Sequence, residues 1–346
     1  MTQTSLLPNT LTDLAVWTTL KEEDRKGFQE TWSLQVTDPN TQRSIWILLN
    51  LLSSQNGFRR VTEAWAVVSH RKDNREVSKL AVKQSQDLSS FATDSNEVIR
   101  LSDCEIGPDF CRGTVQSKGR SVKWDLKLQL AREASFNFIP ESLSRYHLIP
   151  SRWVSTQADL RVDGFTEVDG ERVEWKHAHG TRCHRAGSRE WISWIQGSCN
   201  TFKNEQGEPV DFVFEGLSGR ARLFGGFRSP VLSSFFFVYQ GKSYRFNTVW
   251  DLIRNRSQHN LTHWEFEAEQ GELSFRGQAR AEHRDFAGIT YEDTDGSLLY
   301  NANSKLSQLK IVVYRRGKLE QTLYSNGLAS MEVVSRDKNP YVPLVI

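Results

Sequence analysis

A chain of 346 residues with 38% hydrophobic and 25% charged side chains can bury a core, and its length suits about two domains. Lys plus Arg number 44 against 42 Asp plus Glu, and a net charge of +2 excludes a global drive toward nucleic acid. No apolar run approaches the ~18 residues of a membrane-spanning helix, and Met1-Thr2-Gln3-Thr4-Ser5-Leu6-Leu7-Pro8 lacks the basic and apolar regions of a secretory signal. The expectation is a cytoplasmic protein without an integral membrane segment, with peripheral membrane contact left open.

Residues 1–27 read as a short helical extension, because Leu11, Leu14, Ala15 and Thr18 recur at helical spacing. After Gly27 the period becomes two. Phe28, Glu30, Trp32, Leu34 and Val36 alternate, and Asp38-Pro39-Asn40 supplies the turn. Ile45–Leu52 then reads as a strand buried on both faces. Further strands are expected at Val61–Ser69, Glu76–Val82, Phe110–Val115, Val122–Leu130, Gln157–Val168 and Arg172–His177.

The second half continues with Glu190–Phe202, Val210–Glu215, Leu232–Val238, Ser243–Thr248, His263–Ala268 and Glu272–Gly277. Ala287–Tyr291, Leu309–Tyr314, Leu319–Tyr324 and Ala329–Val334 follow. Val168-Asp169-Gly170-Glu171, Thr294-Asp295-Gly296-Ser297, Gln270-Gly271-Glu272 and Asn326-Gly327 carry hairpin chemistry. Many short strands joined this way define an all-β, antiparallel protein. The irregular stretch 131–156, with Pro140 and Pro150, separates two strand-rich halves, and the domains are expected at 28–165 and 166–346.

The cysteines, Cys104, Cys111, Cys183 and Cys199, form no C-x-x-C pair, so a zinc knuckle has no local support. G-x-S-x-G is missing, since Gly216-Leu217-Ser218-Gly219 falls one residue short. Walker A and G-x-G-x-x-G are missing too, so no cofactor is expected. The outlying numbers are 11 Trp, 19 Phe and 8 Tyr, residues that favour strands and line ligand pockets.

The densest chemistry is Trp175-Lys176-His177-Ala178-His179-Gly180-Thr181-Arg182-Cys183-His184. On a regular strand His177 and His179 share a face, and Gly180 lets the strand turn away. Two same-face imidazoles suit acid–base work. With His184 they could hold a metal, and they could equally be hydrogen-bonded struts at a strand end. In Glu190–Phe202, one face carries Trp194, Gln196, Ser198, Asn200 and Phe202, mixing apolar bulk with hydrogen-bonding groups as a cavity wall does. Trp191 lies on the other face. A buried Asn200 requires partners.

These residues resemble the lipocalin-like double-barrel family of tocopherol cyclase, carotenoid 1,2-hydratase (hydroxyneurosporene synthase) and the AttH-like proteins. The resemblance rests on His177-Ala178-His179-Gly180, Arg182, His184, Trp191, Trp194 and Cys199-Asn200-Thr201-Phe202. It extends to Tyr291-Glu292-Asp293-Thr294-Asp295-Gly296, to Asn303-Ser304, and to Glu332 in the last strand. Most of it lies in residues 150–340; the first half adds Trp124-Asp125-Leu126. His179 stands where the family has Trp, and a protonated imidazole would repel the carbocation that a Trp face steadies.

The resemblance implies two lipocalin-like β-barrels or half-barrels packed side by side, with an aromatic-lined cavity between or inside them. It implies a cofactor-independent enzyme that cyclises, hydrates or isomerises a bulky hydrophobic terpenoid, polyene or polyketide. Its acid would be His177, oriented by His179 and Asn200, with Glu332 and Asp293 as further candidates. Trp175, His184, Trp191, Trp194, Phe202, Tyr291, Asp293 and Asn303 would contact substrate. A non-catalytic carrier of a hydrophobic ligand needs the same pocket but no acid facing it.

Overall fold

A computed structural model describes residues 14–72, 76–94, 98–145, 149, 151–188, 191–222 and 227–345. Two 12-stranded sheets make up almost all of it. The first holds β1 (Phe28–Asp38), β2 (Arg43–Ser53), β3 (Arg60–Lys72), β4 (Glu76–Asp87), β5 (Phe91–Thr93) and β6 (Ile99–Leu101). It continues with β7 (Cys104–Ile106), β8 (Phe110–Ser117), β9 (Arg120–Leu130), β10 (Phe136–Asn137), β11 (Ser151–Val168) and β12 (Glu171–Gly187).

The second sheet holds β13 (Trp191–Cys199), β14 (Phe202–Lys203), β15 (Pro209–Val210), β16 (Phe212–Ala221), β17 (Leu232–Tyr239) and β18 (Lys242–Phe246). After it come β19 (Arg256–His259), β20 (His263–Gln270), β21 (Leu273–Arg280), β22 (Ala287–Glu292), β23 (Leu298–Arg315) and β24 (Lys318–Ser335). The helices α1 (Glu141–Arg145) and α2 (Val249–Arg254) are short. No helix among the described residues is long and apolar enough to cross a membrane.

The two sheets repeat one path. Strand order is β4-β3-β2-β1-β12-β11-β9-β8 in the first and β18-β17-β16-β13-β24-β23-β21-β20 in the second. Each sheet's first strand pairs antiparallel with its last, β1 with β12 and β13 with β24. The long hairpins β11–β12 and β23–β24 occupy equivalent places. In the first sheet the ends approach, as the Gln116 backbone N–H on β8 donates to Gln84 Oε1 on β4 at 3.1 Å.

Period-two alternation decides what each strand face meets. Trp32, Leu34 and Val36 of β1, with Ile45, Ile47 and Leu49 of β2, enter a first core that also holds Trp124 and Trp175. The second core is phenylalanine-rich, with Phe212, Phe214, Phe235, Phe237, Phe266 and Phe275. A buried Phe contributes roughly 1.5–3 kcal/mol. Gly197 and Gly216 leave room for this core, since a Cβ at either would meet the Trp264 ring at 2.9 or 2.8 Å.

Opposite faces of the same strands meet one another. Trp46, Trp65, Trp153, Trp194, Leu217, Phe236 and Val334 form a third core between the sheets. That is why Ile45–Leu52 is apolar at nearly every position. The fold is thus two lipocalin-like antiparallel half-barrels packed side by side.

Several expectations change in detail. The change of sheet falls between Gly187 and Trp191, so the boundary expected at 165/166 lies inside β11. The hairpin expected at Asp169-Gly170 is present and joins β11 to β12 within the first sheet. Asn326-Gly327 is no turn. It lies within the 18-residue strand β24, where Gly327 takes φ +76° near register shifts against β23. Residues 1–13 of the expected helical extension lie outside the described residues; the rest forms 3-10 turns at Trp17–Thr19 and Glu22–Arg25.

Candidate active site between the sheets

On β13, Ile195 and Cys199 enter the second core, so Trp194, Gln196 and Ser198 face the first sheet. Register does the rest. Ser198 lies opposite Glu215 on β16 and Ser330 on β24, while Gln196 lies opposite Glu332. Three adjacent strands therefore present the row Glu215–Ser198–Ser330 beside the pair Gln196–Glu332.

Lys305 on β23 reaches this row, its side chain 1% exposed. It forms an ion pair with Glu332 and donates to Ser330 Oγ at 3.1 Å. Its ammonium lies 4.9 Å from the ring centroid of Trp46, on the opposing sheet. Asn301 Nδ2 donates to Glu332 Oε2 at 3.2 Å and to the Tyr291 hydroxyl at 2.6 Å.

The facing wall comes from the first sheet. β1 contributes Gln29, Thr31, Ser33 and Gln35, and β2 contributes Trp46, Leu48 and Asn50. Trp153 of β11 and Thr181, Cys183 and Arg185 of β12 complete it. Gln29 Nε2 and Thr31 Oγ1 both donate to Asn50 Oδ1, at 2.7 and 3.0 Å. The Arg185 guanidinium lies 4.5 Å from the Trp153 ring and 4.9 Å from Trp194, whose rings meet edge-on. The cleft measures about 70 Å³, below the ~300–1,000 Å³ of drug-sized ligand sites. A metabolite-sized ligand must therefore spread its walls.

Electrostatics single out Glu215. Its carboxyl is 2% exposed as a residue and accepts one hydrogen bond, from Ser155 Oγ at 3.1 Å. Burial pushes its pKa up to about 8, against smaller opposing effects of Ser155 and Lys305. Near neutral pH it is a proton-bearing acid. Burial also pulls the Lys305 ammonium down, while Glu332 opposes that shift. Burial, followed by the nearby Glu215, drives the Cys183 thiol well above the ordinary thiol range. A thiol so raised is a poor nucleophile.

Of the residues expected from sequence, Trp194, Tyr291 and Glu332 line the cleft together. Trp191 packs edge-on against Trp153 in the core between the sheets, 5.9 Å between centroids. The others lie elsewhere. His177 takes φ +49° at a register shift between β11 and β12, which breaks the alternation. Its side chain is 80% exposed, 3.4 Å from Asp163, so it does not share a face with His179.

His179 is half-buried away from the cleft, and burial followed by Arg161 lowers its pKa to about 4. Asn200 donates to Asp159 Oδ1 at 3.2 Å and to the Gly180 carbonyl at 3.1 Å, tying β13 to the first sheet. Gly180 does not turn the strand, which continues to Gly187. His184 is buried at 2.8 Å from Glu30 and stacks on Trp32. The three imidazoles thus diverge, and among the described residues no three of His, Cys, Asp and Glu gather around a metal position.

Trp175 belongs to the first core and donates to Thr166 Oγ1 at 2.7 Å; Phe202 belongs to the second. Asp293 accepts from Arg336 at 2.6 Å in its hairpin. Asn303 is buried opposite Glu332 on β23, outside the cleft lining, and its amide atoms have no hydrogen-bond partner. Sequence reading missed Glu215, Lys305, Arg185, Trp46 and Trp153. The available signal was a lone carboxylate in Phe212-Val213-Phe214-Glu215-Gly216-Leu217 and a lone cation after Asn303-Ser304.

Fold and cleft together define a double lipocalin-like β-barrel protein with a polar site between its halves. In structure it is similar to an AttH-like protein from Nitrosomonas europaea, with a TM-score of 0.51, 13% identity, and coverage of 96% of this chain and 99% of that one. It is also similar to CghA in complex with Sch210972, at TM-score 0.53, 8% identity, and coverage of 90% and 89%. Kievitone hydratase from Nectria haematococca gives TM-score 0.46 at 11% identity, covering 92% and 93%. No protein-family model and no curated protein sequence matches the chain.

Proposed function

We propose that the protein is an enzyme that cyclises, hydrates or isomerises a small organic substrate in the cleft between its sheets, using side chains alone. The observation that carries this reading is Glu215, a buried, proton-bearing acid on a wall shared with the ion-paired Glu332. Two carboxyl groups in such unlike environments suit one proton donor and one acceptor. A carrier needs the pocket but has no use for an acid at its wall.

Glu215 would protonate a carbonyl oxygen or alkene carbon of the substrate. Glu332 would then take a proton from a neighbouring substrate carbon or from an attacking water. Proton exchange with solvent restores both carboxyl groups, so no oxidant or reductant is required. The complex of CghA with Sch210972 supports a ligand-binding role for this fold.

The test is native mass spectrometry of the parent and of Glu215→Gln after incubation with a metabolite extract of the source cells. Expected are a substrate retained on the variant and a product of equal mass, or one water heavier, released by the parent. The same unchanged compound on both proteins would favour the carrier.

A further inference from the structure

We infer that the ligand of this cleft is an oxygen-rich amphipathic molecule, a flat ring-containing body with hydroxyl or carbonyl oxygens along one edge, rather than a bare polyene or terpene. The inference rests on the cleft being the ligand site. Its basis is the outward face of β1, where Gln29, Thr31, Ser33 and Gln35 occupy alternate positions and all line the cleft. A two-residue repeat of about 6.8 Å makes this polar ladder roughly 20 Å long. Gln196, Ser198 and Ser330 on the other sheet add to it.

Such a strip is out of place between packed sheets. Elsewhere the same interface is apolar, with Phe136 stacked on Phe236 at 5.2 Å and Leu217, Leu232 and Ile289 in the same core. Polar side chains buried there cost desolvation unless they are hydrogen-bonded. Gln29 and Thr31 spend their donors on Asn50, but Gln29 Oε1 remains buried without a partner, in a residue 5% exposed. That oxygen lies in a cleft-lining side chain and lacks a donor. A ligand hydroxyl supplies one. Trp46, Trp153 and Trp194, which carry the cations of Lys305 and Arg185, line the cleft beside the ladder and give the rest of the molecule an aromatic wall.

Equilibrium dialysis of the full chain against two probes tests this. Tetracycline, with EDTA present, stands for the oxygen-rich class, and retinol for the nearly apolar one. Tetracycline is expected to bind at least about tenfold more tightly. The variant Gln29→Met with Gln35→Met should lose about tenfold or more for tetracycline and nothing for retinol. Ser33→Ala, a milder change on the same ladder, should weaken tetracycline alone if the double variant folds poorly. Tighter retinol binding, or tetracycline binding indifferent to these changes, would overturn the inference and leave the cleft reading standing. Saturable binding of neither probe would overturn both.

Discussion

Two buried glutamates, one in each half of the molecule, show how surroundings assign opposite roles to one side chain. Glu30, inside the first half, is 0% exposed and fully engaged. Its carboxyl oxygens accept the backbone N–H groups of Val16 and Trp17 at 2.6 and 2.8 Å, and His184 Nε2 lies 2.8 Å away. Glu215, facing the cleft, has one serine donor and a raised pKa. Several donors make a strut that ties the N-terminal segment to the sheet. A single donor leaves an acid with a proton to give.

The contrast breaks most visibly in turnover. Glu215→Gln should fold, bind ligand about as well as the parent, and lose turnover by roughly 10²–10⁴-fold. Equal turnover per folded molecule would remove Glu215 from the chemistry. Glu30→Ala should do the reverse. Breaking this buried arrangement is expected to cost about 3–5 kcal/mol in urea unfolding, with turnover per folded molecule unchanged.

The pH dependence sharpens the comparison. The folded state holds the Glu215 proton up to about pH 8, whereas the unfolded chain loses it near the ordinary value of 4.5. The stability due to this proton is therefore full below about pH 4.5 and is lost as pH rises toward 8. Glutamine has no proton to lose. Relative to the parent, Glu215→Gln should gain stability between those limits at up to about 1.4 kcal/mol per pH unit. Parallel stability curves would place the Glu215 pKa at its ordinary value. The smallest effect is expected at His177: on an exposed bulge, His177→Gln should change stability by no more than about 0.5 kcal/mol and leave turnover intact.

Alternation was legible wherever strands are regular, and it put Trp194, Gln196 and Ser198 on one face; Tyr291 and Glu332, which line the same cleft, came only from the family resemblance. It failed where a residue breaks the count. Trp175 and Ala178, three apart, both enter the first core because the chain bulges at His177 between them. That bulge turns His177 out to solvent, while His184 enters the first core by regular alternation with Cys183 and Arg185. Glu215 was passed over because it stands at the end of the strand expected at Val210–Glu215, next to Gly216-Leu217-Ser218-Gly219, which was weighed only against G-x-S-x-G. In the fold β16 runs on to Ala221, and its glycines make room for Trp264 and Trp194. Cross-sheet partners such as Lys305 and Trp46 are 259 positions apart in sequence, and no local pattern announces such a contact.

The most direct test of the account is an infrared difference spectrum of the parent against Glu215→Gln, recorded as pH rises from about 6 to 10. The account predicts a protonated-carboxyl C=O band near neutral pH, absent from the variant, that gives way to carboxylate bands around pH 8. A spectrum with Glu215 already ionised at pH 6 would contradict it.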